Sequence, residues 1–177
     1  MKTIKPTIVL VRPQLPENIG LTVRAMHNCG LDKLIIVSPR EEWPNQRAID
    51  AAANAKTILK KVKIYNSINE AVSNFNFVIA TSARSRFLRK PHKKNFFSLF
   101  KELSNFKKIA ILFGPEQSGL SNNDLMLCDC IFTIPVSPRN HSFNLSHSVL
   151  LIVYKWQEYF KYFKLKTSKN DDLSDKK

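Results

Sequence analysis

Short apolar runs rich in β-branched residues punctuate this chain, and a helix-forming segment separates nearly every one from the next. Thr7–Val11, Leu34–Val37, Lys63–Tyr65, Phe77–Ala80, Ile109–Phe113 and Ile131–Val136 are the runs. They read as buried strands, because continuous Val/Ile/Leu stretches suit strands covered on both faces. Strands joined through helices run parallel, since a parallel pair needs a long crossover connection. The pattern therefore predicts one α/β domain with a mostly parallel sheet and helices on both faces. Asn18 is the predicted cap of a helix reaching Asn28, with Ile19, Val23 and Met26 as its buried face and Gly30 as its stop. Further helices are predicted over an alanine-rich stretch from about Gln46 to Leu59, over Ile68–Ser73 and over Phe96–Leu103, and from a Ser121 or Asn122 cap to about Leu127. In the closing helix, capped by Ser142 or Asn144, the residues Leu145, Val149, Ile152, Trp156, Tyr159 and Phe163 form one stripe. Leu150, Leu151, Val153 and Tyr154 lie off that stripe, which predicts burial on several sides and a second subunit as cover. The chain from residue 1 to 163 reads as the domain and 164–177 as a polar, disordered tail.

Lys and Arg number 28 against 14 acids, a net charge of +14 on 177 residues, and such an excess points to a polyanionic partner, nucleic acid first. No apolar run approaches the roughly 20 residues of a membrane helix. The segment Met1–Pro6 lacks the apolar core of a signal peptide, so a cytoplasmic protein is expected. Cys29, Cys128 and Cys130 have no zinc spacing and read as reduced thiols, and no metal is expected.

The chain holds four glycines, Gly20, Gly30, Gly114 and Gly119, too few for a dinucleotide fingerprint. Gly114 and Gly119 have phosphate-loop spacing, but Leu120 stands where that motif needs lysine, which argues against a nucleoside triphosphatase. No Gly-x-Ser-x-Gly surrounds Ser142, which argues against a hydrolase of that kind. Three loops instead share one design: 18–24, 114–120 and 137–146 each follow a strand and open a helix, where free N–H groups gather. The first offers Arg24, the second Glu116, the third Arg139, Ser142 and Asn144. The stretch Thr81–Lys94 adds six basic residues and no acid, and follows a strand, which favours phosphate contact.

Those residues carry a resemblance. Asn18-Ile19-Gly20-Leu21-Thr22-Val23-Arg24 resembles motif 1 of the SpoU (TrmH-type) 2′-O-ribose RNA methyltransferases of the SPOUT superfamily. Phe113-Gly114-Pro115-Glu116 with Gly119-Leu120-Ser121 is similar to motif 2, and Ile134-Pro135 with Ser142-Phe143-Asn144-Leu145-Ser146 to motif 3. Thr81-Ser82-Ala83-Arg84-Ser85-Arg86 and Val11–Asn18 resemble the TrmJ branch. The likeness covers about Pro6 to Phe163. Gln117 departs from it where a basic residue is usual, and His141 and Phe143 replace a small residue and a leucine.

The resemblance implies a deep trefoil knot at the carboxyl end, a homodimer, and S-adenosylmethionine as cofactor. It implies a cofactor pocket lined by Thr81, Ser82, Ala83, Gly114, Ile134, His141, Ser142 and Phe143. Arg24, Ser142, Asn144, Asn18 and Glu116 are the implied catalytic set, with Glu116 fixing its loop rather than carrying protons. Arg84, Arg86, Arg89, Lys90 and Arg139 are the expected RNA contacts. The implied reaction is methylation of the 2′-hydroxyl of cytidine or uridine at position 32 of the tRNA anticodon loop. Methylation of another RNA, such as ribosomal RNA, and a non-catalytic RNA-binding relative are the alternatives, with a small-molecule nucleotide enzyme third.

Overall fold

The structure, a computed structural model, describes residues 5–83, 89–137 and 142–174, and in its last helix the side chains only as far as Phe160. Among the described residues seven strands form one sheet: β1 (Thr7–Val11), β2 (Leu34–Val37), β3 (Lys63–Tyr65), β4 (Phe77–Thr81), β5 (His92–Lys93), β6 (Ile109–Phe113) and β7 (Cys130–Phe132). Their order is β3-β2-β1-β6-β4-β7-β5, and every pairing is parallel. Seven α-helices join them among the described residues: α1 (Pro16–Asn28), α2 (Gln46–Ala51), α3 (Lys56–Leu59), α4 (Ile68–Val72), α5 (Phe96–Leu103), α6 (Asn122–Met126) and α7 (Leu145–Ser174).

Alternate side chains of the central strands enter two cores. Ile8, Leu10, Ile36, Ile79, Ile111 and Phe113 face α1, α5 and α7, while Val9, Val11, Ile35, Val78, Ala110 and Leu112 face α4 and α6. All five residues of β1 and of β6 are buried, as expected of strands covered on both sides. The predicted α/β architecture is therefore the observed one.

Several boundaries differ from the sequence expectation. Asn18 does not cap α1. Leu15 holds the cap position without a side-chain bond, Pro16 opens the helix with its φ already set, and Asn18 is buried inside the first turn. The stop at Gly30 is as predicted: Gly30 N donates to His27 O and Leu31 N to Met26 O, with Gly30 at φ +73°. The alanine-rich segment is not one helix. It breaks into α2, a 3₁₀ turn at Ala53–Ala55 and α3, with Ala53 at φ +50°. Ala48, Ala52 and Ala55 are buried, so small size at a helix crossing, not helix propensity, governs that stretch.

β7 stops at Phe132 rather than Val136, because its neighbours end at Thr81 and Lys93 and Pro135 has no N–H to donate. β5 was not anticipated. At two residues it has no pattern of its own and exists because β7 offers an edge. Asn144, not Ser142, caps α7, its Oδ1 accepting from Ser146 N at 2.9 Å. α7 runs past Phe163 to Ser174, through the segment expected to be a tail.

Candidate active site

The order β6-β4-β7 places three carboxyl ends side by side, where ligands of open parallel sheets bind. The segments that follow these strands enclose a cavity of about 260 Å³. Thr81, Ser82 and Ala83 line it from β4, Gly114 to Gly119 from β6, and Ile134, Val136, Ser142 and Phe143 from beyond β7. Every described residue expected in the cofactor pocket thus faces one cavity; His141 lies outside the described residues.

Local geometry explains the residue choices. A Cβ on Gly114 would sit 2.3 Å from Leu120 N and 2.4 Å from the Gly119 carbonyl carbon, so the loop 114–120 folds back on its own first residue. Gly119 turns the loop at φ +66°. Thr81 Oγ1 donates to Leu112 O at 2.8 Å, tying β4 to β6 below the cavity. Ser82 N donates to Phe132 O at 3.0 Å, tying the same segment to β7.

Next to the cavity a polar chain joins all three sequence motifs. Glu116 accepts from Gln14 N at 2.8 Å through one oxygen, and from Asn18 Nδ2 at 2.9 Å and Leu15 N at 3.3 Å through the other. Asn18 Oδ1 in turn accepts from Asn144 Nδ2 at 3.1 Å. Asn144 Oδ1 accepts from Ser146 N and, at 2.8 Å, from Ser146 Oγ. The polarity runs one way, from Ser146 through Asn144 and Asn18 to the carboxylate, and each amide orientation follows from it. These bonds engage the amides and the carboxylate with one another. Asn18, Asn144 and Glu116 therefore set the relative position of α1, the β6 loop and the start of α7.

Arg24 is not brought to this site. It lies six residues beyond Asn18, about 9 Å along the helix and on a different side, exposed and away from the cavity lining. Lys90 is also not free for phosphate: its Nζ donates to Met126 O at 2.8 Å and to Cys128 O, neutralising carbonyls at the end of α6. Arg89 is exposed. Arg84, Arg86 and Arg139 lie outside the described residues.

Arg12 was not singled out as a site residue. It sits at φ +48° and pairs with Asp124, which closes a capping box with Ser121 at the start of α6. Burial opposes ionisation of Asp124, but the Arg12 guanidinium and the Ser121 donors outweigh it and hold the carboxyl below its ordinary range. The partners are 112 positions apart in sequence, so no local pattern announces this pair. Burial pushes the Cys128 thiol up to about 12 and the Cys130 thiol to about 11, so neither is a nucleophile near neutral pH. Among the described residues no three His, Cys, Asp or Glu side chains gather as metal ligands, and no helix is long and apolar enough to cross a membrane.

The model of the SpoU rRNA Methylase family matches residues 5–154. The chain is 34% identical to the tRNA (cytidine/uridine/adenosine-2′-O-)-methyltransferase TrmJ of Pseudomonas aeruginosa, over 84% of this chain and 58% of that protein. It is 35% identical to the tRNA (cytidine-2′-O-)-methyltransferase TrmJ of Methanocaldococcus jannaschii, over 84% of this chain and 66% of that one. The crystal structure of TrmJ from Z. mobilis ZM4 superposes with a TM-score of 0.82 at 41% identity, covering 87% of this chain and 69% of that one. The chain thus spans less than two thirds of the length of either curated relative. With a matching model over most of its length and the same motifs gathered around one cavity, the chain belongs to the SpoU rRNA Methylase family.

Proposed function

We propose that this chain is the methyltransferase unit of a tRNA 2′-O-ribose methyltransferase that uses S-adenosylmethionine and acts on cytidine or uridine at position 32 of the anticodon loop. The observation that carries the reading is the convergence of the segments after β4, β6 and β7 on one cavity, with a glycine where the backbone leaves no room for a side chain. Among the described residues its lining is neutral apart from Glu116, whose oxygens are engaged by N–H donors. Such a lining suits a ligand held largely by backbone and hydroxyl groups, which fits the adenosine and amino-acid parts of S-adenosylmethionine. The similarity to two TrmJ enzymes supports a tRNA ribose as the acceptor. The carboxyl-end knot belongs to the same proposal.

When bound, S-adenosylmethionine supplies a methyl group activated on a sulfonium; the chain supplies position and charge. Ser142 and Phe143 line the cavity and are exposed, which supports a role for them in meeting both the cofactor and an incoming ribose. Asn144, anchored through Asn18 to Glu116, fixes where that segment begins. Arg24 has a guanidinium that carries no acceptor, so its role is to hold a phosphate or orient the hydroxyl, while the proton passes to a phosphate oxygen or to water.

A homodimer accounts for the separation of Arg24 from the cavity. Leu21 on α1 and Leu150 and Tyr154 on α7 are 41%, 41% and 49% exposed, on two helices that pack together. Covering them with a second subunit buries apolar surface and directs Arg24, one turn from Leu21, toward the partner. The test is single-turnover methyl transfer to purified tRNA, with the modified nucleotide mapped by mass spectrometry. Methylation at position 32 is expected; transfer only to ribosomal RNA, or to no RNA, overturns the reading.

A further inference from the structure

The basic stretch that leaves β4 returns to the sheet at β5, and its two ends meet through one hydroxyl. Thr133, the first residue after β7, donates from Oγ1 to Ser82 O at 2.7 Å. His92, the first residue of β5, places Nε2 2.7 Å from the same Oγ1. A backbone carbonyl only accepts, and a hydroxyl has one proton, so the Thr133 proton is committed to Ser82. His92 must then be the donor and Nε2 must carry a hydrogen, an assignment that follows from the polarity of the chain. The Nε2–H tautomer and the imidazolium both meet this condition.

The bond falls at a consequential place. Ser82 lines the cavity, and its own N–H already donates to Phe132 O. The peptide planes on both sides of the Ser82 Cα are therefore held, one by β7 and the other by Thr133. The Thr133 bond thus helps orient the Ser82–Ala83 peptide, and with it the cavity wall. β5 itself does not depend on His92: Ile131 N donates to Pro91 O and Thr133 N to Lys93 O, while Lys93 pairs with Glu102 at 2.6 Å and Lys90 caps α6. The imidazole can thus be removed with the strand left in place.

We propose that His92 is a positioning residue for the cofactor site, which through Thr133 fixes the Ser82–Ala83 peptide in the cavity wall. The proposal rests on the reading of this cavity as the S-adenosylmethionine site.

The experiment is calorimetric titration of the full chain with S-adenosylhomocysteine, for wild type, His92→Phe, His92→Gln, Thr133→Val and the His92→Phe/Thr133→Val double variant. Loss of one hydrogen bond in the chain should weaken binding by about three- to tenfold in His92→Phe and in Thr133→Val. The amide nitrogen of glutamine reaches about where Nε2 lies, so His92→Gln should stay within about twofold of wild type. The double variant should be no weaker than Thr133→Val alone, because both changes break one link. Wild-type affinity in His92→Phe overturns the proposal. So does a loss in His92→Gln as large as in His92→Phe, because a merely structural role would give no rescue. Absence of binding by wild-type protein instead overturns the reading of the cavity, and the proposal with it.

Discussion

At Gly114 the chain passes so close to itself that a methyl group has no room. The sequence marks this glycine as part of a ligand-binding motif, and the natural expectation is that its bareness serves the ligand. The geometry assigns the first constraint to the loop, since a Cβ meets the Gly119 and Leu120 backbone. Gly114→Ala should accordingly cost about 1–3 kcal/mol of stability, as overpacking does, and abolish cofactor binding by unfolding the return of the loop. Urea denaturation and calorimetry check the two effects, and normal affinity in the variant would place the pocket elsewhere. Asp124 makes a second residue-scale case. Its carboxyl is held below the ordinary range, so its contribution is complete above the unfolded-state value of about 3.9 and fades as pH falls through the folded-state value. Asp124→Asn should lose about 1 kcal/mol at pH 7, allowing for the half-exposed Arg12, and the gap to wild type should close as the medium is acidified. Chemical denaturation at several pH values measures this. Glu116 was legible in sequence as a loop-fixing carboxylate, whereas Asn18 was misread as a cap, because capping is the commoner use of asparagine at a helix start and the true partners lie 98 and 126 residues away.

Among the elements, α1 shows how one motif can hold residues with unrelated tasks. Asn18 ties the helix to the site, Arg24 is exposed, and Gly20 between them is buried against α2. A Cβ on Gly20 would lie 2.3 Å from Ala48 O and 2.7 Å from Ala51 Cβ, so this glycine lets α1 cross α2 at close range. Gly20→Ala should therefore destabilise the fold by about 1–3 kcal/mol, seen as a lower urea midpoint, while the protein that remains folded binds S-adenosylhomocysteine with unchanged affinity. A change in affinity without a change in stability would return Gly20 to the site. The strands were legible because β-branched runs buried on both faces have few other uses. The break at Ala53 and the two-residue β5 were not, because each is imposed by a neighbour: α1 in one case, β7 in the other. The approach of Ser82, Thr133 and His92 is hidden for the same reason, being a product of strand order rather than of spacing.

For the whole molecule, the exposed Leu21, Leu150 and Tyr154 and the isolated Arg24 make a joint prediction. The protein should be dimeric by light scattering at micromolar concentration. Arg24→Ala should abolish turnover while tRNA binding largely survives, because an interaction made mainly in the transition state lowers the rate constant itself. Arg24→Ala protomers mixed with Ser142→Ala protomers should regain part of the activity if each site draws on both subunits; no recovery in verified mixed dimers argues for sites completed within one chain. Arg86→Ala should instead weaken tRNA binding and lower the salt slope by about one unit, read from affinities at two salt concentrations. The strand order also governs how such a molecule comes into being. β6 lies between β1 and β4, so β1 waits for a partner that emerges about a hundred residues after it. During synthesis β1 and β2 can associate early, but the centre of the sheet cannot close until residues 109–113 have left the ribosome. Until then two apolar strand edges stand open, and non-local closure of this kind is slow and exposed to aggregation.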